Sequence, residues 1–435
     1  MMIPELTDDI EQFRSFLDRS PTPYHAVNEA ALRLAAAGFT ELLEADAWNL
    51  DSAGMYFLRR GGSLVAFRLG YAEPWSSGVR VAAAHTDSPA LKLKLDGETL
   101  SHGLLTMPVE VYGGAIVSTW LDRSLGIAGR VSVLNGNALS QRLFTTDGPV
   151  ATVPNLAIHL NRTINEGFEY NKQTHLPVLL DSAKEGDQKG KLKRFLAERL
   201  EVAEDTILDA DLILFDAEPA RLLGIGAQLL SSGRIDNLAA ASATVGALCS
   251  AGATESTALA VLYNHEEIGS RTAEGADSGL LRSIIERIVI AKGGGREELH
   301  RTLARSFLIS NDAAHAVHPN YAEKHDPSYM PHLNGGPVLK YNGNLRYSTT
   351  AETAAYFKNL CGAAGVPFQQ FVNRSDIQSG STVGPIASAA AELRAVDVGI
   401  PILAMHSIRE VCGATDHLAM GKVLALFFGS AGAAS

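Results

Sequence analysis

The stretch Val81-Ala82-Ala83-Ala84-His85-Thr86-Asp87-Ser88-Pro89 limits the possible folds more than any other. An apolar run without polar alternation reads as a strand buried on both faces. Its alanines call for layers packed closely on either side. The run stops abruptly at a histidine, with a carboxylate two residues on. A strand that ends in His-x-Asp brings a metal-competent imidazole to the edge of a sheet. Asp87 can then take the second ring N–H and fix which nitrogen faces an ion.

The flanking sequence supplies the layers. Ile10, Phe13, Phe16 and Leu17 recur at helical spacing, and an alanine-rich helix is expected over 24–37. Segments 55–60 and 63–69, joined at Gly61-Gly62, read as a hairpin. Helices are expected over 238–251, 279–291, 351–364 and 414–428, with strands at 257–263, 306–309, 368–372 and 400–405. Apolar strands alternating with helices imply a mostly parallel sheet covered by helices on both faces, the α/β class.

Between about 88 and 231 the texture changes. Leu91-Lys92-Leu93-Lys94-Leu95 alternates strictly, and further β-like runs are expected at 109–112, 116–121, 129–134 and 212–215, with a helix at 192–201. A chain of 435 residues exceeds a usual single core. The expected organisation is therefore an α/β domain from 1–87 and 232–435, interrupted by a β-rich insert over 88–231.

The residues just past each apolar run carry the chemistry. Segment 81–84 leads to His85 and Asp87, and 259–263 leads to Asn264-His265-Glu266-Glu267. Segment 307–309 leads to Ser310-Asn311-Asp312, and 402–405 leads to His406. A turn, Ser231-Ser232-Gly233-Arg234-Ile235-Asp236, adds one more carboxylate. Ligands in such sheets bind outside the carboxyl ends of the strands. An all-N/O set without thiolates suits a hydrolytic Zn²⁺, Mn²⁺ or Co²⁺ site. The carboxylates are too many for one ion with an open position, but two ions bridged by a carboxylate and a hydroxide would use them. Of the neighbours Glu266 and Glu267, one can bind metal while the other acts as general base.

These residues resemble the aspartyl aminopeptidases, dinuclear metallopeptidases whose best-known members prefer acidic N-terminal residues. The resemblance runs through Ser20-Pro21-Thr22-Pro23-Tyr24-His25, Ala84-His85-Thr86-Asp87-Ser88-Pro89, Gly233-Arg234-Ile235-Asp236-Asn237 and Asn264-His265-Glu266-Glu267-Ile268-Gly269-Ser270. It continues through Ser310-Asn311-Asp312, Gly380-Ser381-Thr382-Val383-Gly384-Pro385 and Met405-His406-Ser407. It implies Asp236 as bridging ligand, His85 and Asp312 completing one metal site, and Glu267 with His406 the other. Glu266 would be the base, and Asp87 would orient His85. The resemblance also implies that the insert mediates dimerisation and that His159 enters the neighbouring subunit's site, within a tetrahedral homododecamer. By spacing alone, His159 is a lone histidine in an alternating strand. His315 and His318 read either as a metal pair at helical spacing or, as the resemblance implies, as substrate-pocket residues. Lys340 and Tyr347 match substrate-binding positions, where a cation would suit a carboxylate.

The activity expected is thus removal of N-terminal residues from peptides. Two rivals stay open on the residues: an amidohydrolase acting on N-acyl amino acids, and a non-enzymatic peptide-binding scaffold. A formal net charge of −11 and the lack of a Lys/Arg block argue against a nucleic-acid partner. No stretch of about 18 apolar residues lacks a charge, so no membrane span is expected. Cys249, Cys361 and Cys412 include no Cys-x-x-Cys pair, and no signal peptide is visible, which together suggest the cytoplasm.

Overall fold

The computed structural model describes residues 4–184 and 189–430. By its contacts the chain forms two compact units. The larger comprises 1–87, 220–405 and 410–435, and the smaller comprises 88–219 with 406–409.

The larger unit is built on a nine-stranded sheet. From one edge its order is Thr40–Glu41, Met55–Arg60, Ser63–Arg68, Thr257–Tyr263, Val79–His85, Phe307–Asn311, Arg394–Gly399, Val338–Tyr341 and Gln369–Val372. Val79–His85 lies at the centre, parallel to both neighbours, and all seven of its residues are buried. Its side chains alternate between two cores. Ala82 and Ala84 join Leu238, Ala241, Phe357 and Leu424 from helices on one face. Val81 and Ala83 join Ile284, Ile285, Leu299 and Ala387 from helices on the other. Two faces packed at once leave room only for small side chains, which is why the run is so rich in alanine.

Register decides where the chemistry falls. Tyr263 pairs with His85, and Ser310 pairs with Ala83. The residues just beyond both partner strands therefore emerge level with His85. A second sheet in this unit, ordered Arg221–Leu223, Leu229–Ser232, Glu410–Gly413, Pro401–Leu403 and Ala314–His315, feeds the turn before Asp236. Its strands are two to four residues long; Pro401–Leu403 falls within the strand expected at 400–405, and the other four carry no readable periodicity and were not revealed by the sequence. The strand Arg394–Gly399 and the helices Arg296–Arg305 and Val383–Ala391 were not foreseen either.

The smaller unit has an antiparallel sheet ordered Ala138–Thr145, Leu125–Asn135, Ile207–Asp216, Ala90–Leu93 and Val109–Tyr112. A three-stranded sheet and the helix Lys191–Leu200 accompany it. The expected boundary at 231 differs from the observed one, because Arg221–Leu223 pairs with Leu229–Ser232, which pairs in turn with Glu410–Gly413 within the larger unit. The expected strand at 116–121 is instead a 3-10 turn, Val117–Trp120, closed by a bond from Thr119 N–H to the Ile116 carbonyl. His159 does not lie in a strand. It sits in an exposed turn, where Leu160 N–H donates to the Ala157 carbonyl.

Candidate active site

His85 ends the central strand and is 1% exposed. Its Nδ1 lies 3.0 Å from the Asp87 carbonyl oxygen, which can only accept, so Nδ1 carries the hydrogen and Nε2 is left as the ligand atom. Nε2 is 3.4 Å from Asp236 Oδ1 and 3.5 Å from Asp312 Oδ1. Bonds of about 2.0–2.1 Å to one tetrahedral ion set two ligand atoms about 3.4 Å apart. The spacing on both sides of His85 Nε2 thus fits a single ion. His85, Asp236 and Asp312 offer ligand atoms within 4.8 Å of one another, and so do His85, Glu266 and Glu267. Glu266 Oε2 stands 4.0 Å from His85 Nε2.

Each group is held from behind. The two carboxylate oxygens of Asp87 accept separately from Glu266 N–H and Glu267 N–H, both at 3.1 Å, so one side chain fixes the turn that bears both glutamates. Asp236 follows Arg234, whose left-handed backbone turns the chain and whose guanidinium donates to the Ser20 and Leu17 carbonyls. This ties the Ser20-Pro21-Thr22-Pro23 motif to the site. Asp236 N–H donates to Glu410 Oε2 at 2.9 Å, and Asn237 Nδ2 donates to the Asn311 carbonyl at 3.0 Å. The turn bearing Asp236 is thereby bonded to the strand end bearing Asp312.

The electrostatics favour a bound cation or added protons. Burial pushes the Glu266 carboxyl up to about 8, opposed by His85 and reinforced by Asp312, Asp236 and Asp87. Burial and then Asp236 hold Glu267 well above the ordinary carboxylate range. Burial acts to lower the His85 pKa, but hydrogen bonds that its ring donates to the Asp236, Asp312 and Asp87 carboxylates raise it well above that of a free imidazole. Like charges crowded in a low dielectric favour either proton uptake or a bound cation. Nitrogen and oxygen donors alone, buried and converging, suit a hydrolytic divalent ion.

Comparison with known proteins agrees. The profile of the aminopeptidase I zinc metalloproteases (M18) matches residues 16–428. The probable M18 family aminopeptidase 2 of Pseudomonas savastanoi pv. phaseolicola is 43% identical over 420 residues, covering 95% of this chain and 96% of that one. The chain belongs to the M18 family of zinc aminopeptidases. It is a metalloaminopeptidase, a hydrolase, and neither the acylase nor the scaffold reading is needed. Among solved structures, that of the Ape4 and Nbr1 complex superposes with a TM-score of 0.94 at 35% identity, covering 98% of this chain and 86% of that one. The S. cerevisiae mApe1 dodecamer superposes at 0.84 with 28% identity, covering 97% and 96%.

The other expected M18 site residues fall in varied settings. His315 ends a short strand and is exposed, while His318 is partly buried with its ring 5.0 Å from that of Tyr321. The segment between them is not helical, so the alternative of a metal pair at helical spacing is set aside. Lys340 is 2% exposed, and its Nζ donates to the carbonyls of Asp312 at 2.9 Å and Ala313 at 3.1 Å. It braces the turn after the Asp312 strand, with the buried Tyr347 ring 5.2 Å away. Burial opposes the Lys340 charge, yet Asp312 and other nearby groups raise its pKa. His406 lies in the smaller unit, where its Nδ1 is 3.2 Å from the Gly114 carbonyl. His159 is exposed there, between Ile158 and Leu160. Sequence reasoning missed Glu410 and Asn237, and the only trace of Asn237 was its place in the Arg234–Asn237 motif.

Proposed function

We propose that this M18 enzyme removes N-terminal residues, acidic ones preferentially, with two divalent ions per subunit. His85, Asp312 and the bridging Asp236 would hold one ion, and Asp236, Glu267 and His406 the other. Zinc is the metal of the family, with Mn²⁺ and Co²⁺ as alternatives. For His406 the support is the sequence resemblance. When bound, the ions supply a water of lowered pKa and polarise the scissile carbonyl. Glu266 takes the water's proton on its carboxylate and hands it to the departing amine. Its burial and the surrounding carboxylates favour proton uptake, and the hold of Asp87 on its backbone N–H fixes its aim.

Of the Lys340 donors, two are spent on backbone carbonyls, and the third is the one to meet an acidic substrate. His159 would hydrogen-bond the oxyanion of a neighbouring subunit's substrate within a tetrahedral dodecamer. The exposed Ile158 and Leu160 beside it suit burial against another copy. We place the enzyme in the cytoplasm, acting on peptides rather than on nucleic acid. Among the described residues no helix is long and apolar enough to cross a membrane.

The observation that carries this reading is the pair of 3.4 and 3.5 Å separations about His85 Nε2, with Glu266 beside them. Glu266→Gln should keep its metal content and lose about 10²- to 10⁴-fold in kcat. A variant turning over at the parent rate sinks the base assignment. A panel of aspartyl-, glutamyl- and leucyl-anilides, run with each metal, tests the acidic preference. Equal kcat/KM across the panel removes it.

A further inference from the structure

The turn that carries Glu266 and Glu267 is tethered a second time, through a residue that has no assigned role. Glu274 Oε2 accepts from Gly62 N–H at 2.7 Å and from Asn264 Nδ2 at 2.8 Å. Asn264 Oδ1 in turn accepts from His265 N–H at 2.9 Å, the residue just before Glu266. On the other side, the Gly62 carbonyl accepts from Thr86 Oγ1 at 2.6 Å, and Thr86 stands between His85 and Asp87. Asp87 closes the circuit on the N–H groups of Glu266 and Glu267. The hydrogen bonds thus form a ring from Asp87 through Thr86, Gly62, Glu274, Asn264 and His265 back to Glu266.

The surroundings are shaped for this ring. A Cβ at Gly61 would fall 2.0 Å from Glu274 Oε1, and one at Gly62 would fall 2.4 Å from Asn264 Nδ2. The Gly61-Gly62 turn therefore does more than reverse a hairpin, since it lets Glu274 and Asn264 approach the backbone. Main-chain bonds support the same contact, from Asn264 N–H to the Glu274 carbonyl at 3.1 Å and from Ser63 Oγ to that carbonyl at 2.7 Å. His265 holds a left-handed backbone, with its Nδ1 2.8 Å from Thr272 Oγ1. Gly275 passes so close to the Ser270 carbonyl that a Cβ would lie 2.1 Å from it, which keeps the loop from 264 to 277 closed.

We propose that Glu274 is a positioning residue for catalysis. It locks the hairpin turn to the loop of the general base and so sets the aim of Glu266 relative to the His85–Asp87 arm. The proposal rests on the reading of Glu266 as the base. Displacing a reacting group by about 1 Å costs on the order of 100-fold in rate.

The test is steady-state kinetics of the zinc-loaded full-length enzyme on an aminoacyl-anilide, with zinc content and melting temperature measured in parallel. Glu274→Ala should lower kcat by about 10- to 100-fold and leave KM within about threefold. Glu274→Gln should recover most of the loss, because one oxygen takes both bonds and an amide oxygen can replace it. Asn264→Ala combined with Glu274→Ala should cost no more than the worse single variant, since both cut one path. The proposal fails if Glu274→Ala keeps kcat within twofold. It also fails if the loss tracks zinc content or stability and Glu274→Gln does no better. Failure of the base assignment would appear separately, as an active Glu266→Gln enzyme.

Discussion

Asp87→Asn is the most discriminating change this site offers. The substitution keeps the shape of the side chain and the backbone carbonyl that orients His85. It replaces one carboxylate oxygen by an NH₂ group. Asp87 Oδ1 receives Glu266 N–H and Oδ2 receives Glu267 N–H, each at 3.1 Å, so an amide can satisfy only one of them. The other N–H would face a donor. A lost hydrogen bond to a charged group costs roughly 1.5–3 kcal/mol. Taking about 2 kcal/mol as the loss in the transition state, kcat/KM should fall about 30-fold. Asp87 also lies beside His85 Nδ1, with Oδ1 at 3.5 Å. Zinc affinity should therefore drop as well, by about 10- to 100-fold, as for other residues that support a ligating histidine. Kinetics on enzyme saturated with zinc isolate the first effect, and competition with a chelator measures the second. An Asp87→Asn enzyme within threefold of the parent in both would refute the claim that this carboxylate fixes the glutamate turn.

Lys340→Met fits the same volume but strands two buried carbonyls, and a melting point lowered by the equivalent of about 2–6 kcal/mol is expected, with weakened zinc binding at Asp312. An unchanged thermal scan would speak against the bracing role. Burial lowers the pKa of His25 to about 4 and of His417 to about 3, from an ordinary value of 6.5. Both are neutral in the fold and take protons when unfolded, so their stability is full above pH 6.5 and is lost as pH falls toward 4 and 3. The upper bounds are about 3 and about 5 kcal/mol. His417→Phe keeps a ring to stack on Phe13, now 3.9 Å away, and should flatten the fall in urea midpoint between pH 7 and pH 5. A curve as steep as the parent's would dismiss His417 as a cause. Leu160→Asp, at a side chain 74% exposed, should shrink the assembly seen by light scattering and reduce activity with it, whereas an unaltered mass would remove this turn from the interface.

The ligand-bearing ends of this fold were legible because each comes directly after an apolar run with a sharp stop. Thr257–Tyr263 keeps the expected bounds, and the central strand, whose apolar pattern covers 79–84, also takes in His85 itself. Asp236 was legible for a different reason, as the acidic residue of a Gly-Arg turn opening a small-residue helix. The supports were not legible. Glu410 reaches Asp236 from 174 residues away, through two short strands whose only signature is their pairing. Lys340 looked like an available cation, and nothing in its neighbours Leu339 and Tyr341 announces a side chain turned onto backbone carbonyls. Arg394–Gly399 hid as a strand because it carries Arg394 and the buried Asp397, whose carboxylate is satisfied by Ser348 and Thr382. Periodicity reports on apolar faces, and it is silent where a buried polar group is satisfied from far along the chain.

The grip of Asp87 falls on main-chain N–H groups, which every residue type except proline possesses. Side chains at 266 and 267 can therefore be exchanged without releasing the loop they stand on. A copy of the enzyme silenced at Glu266 would keep its cleft in the working shape, and such a copy could capture an uncleaved peptide for study in place.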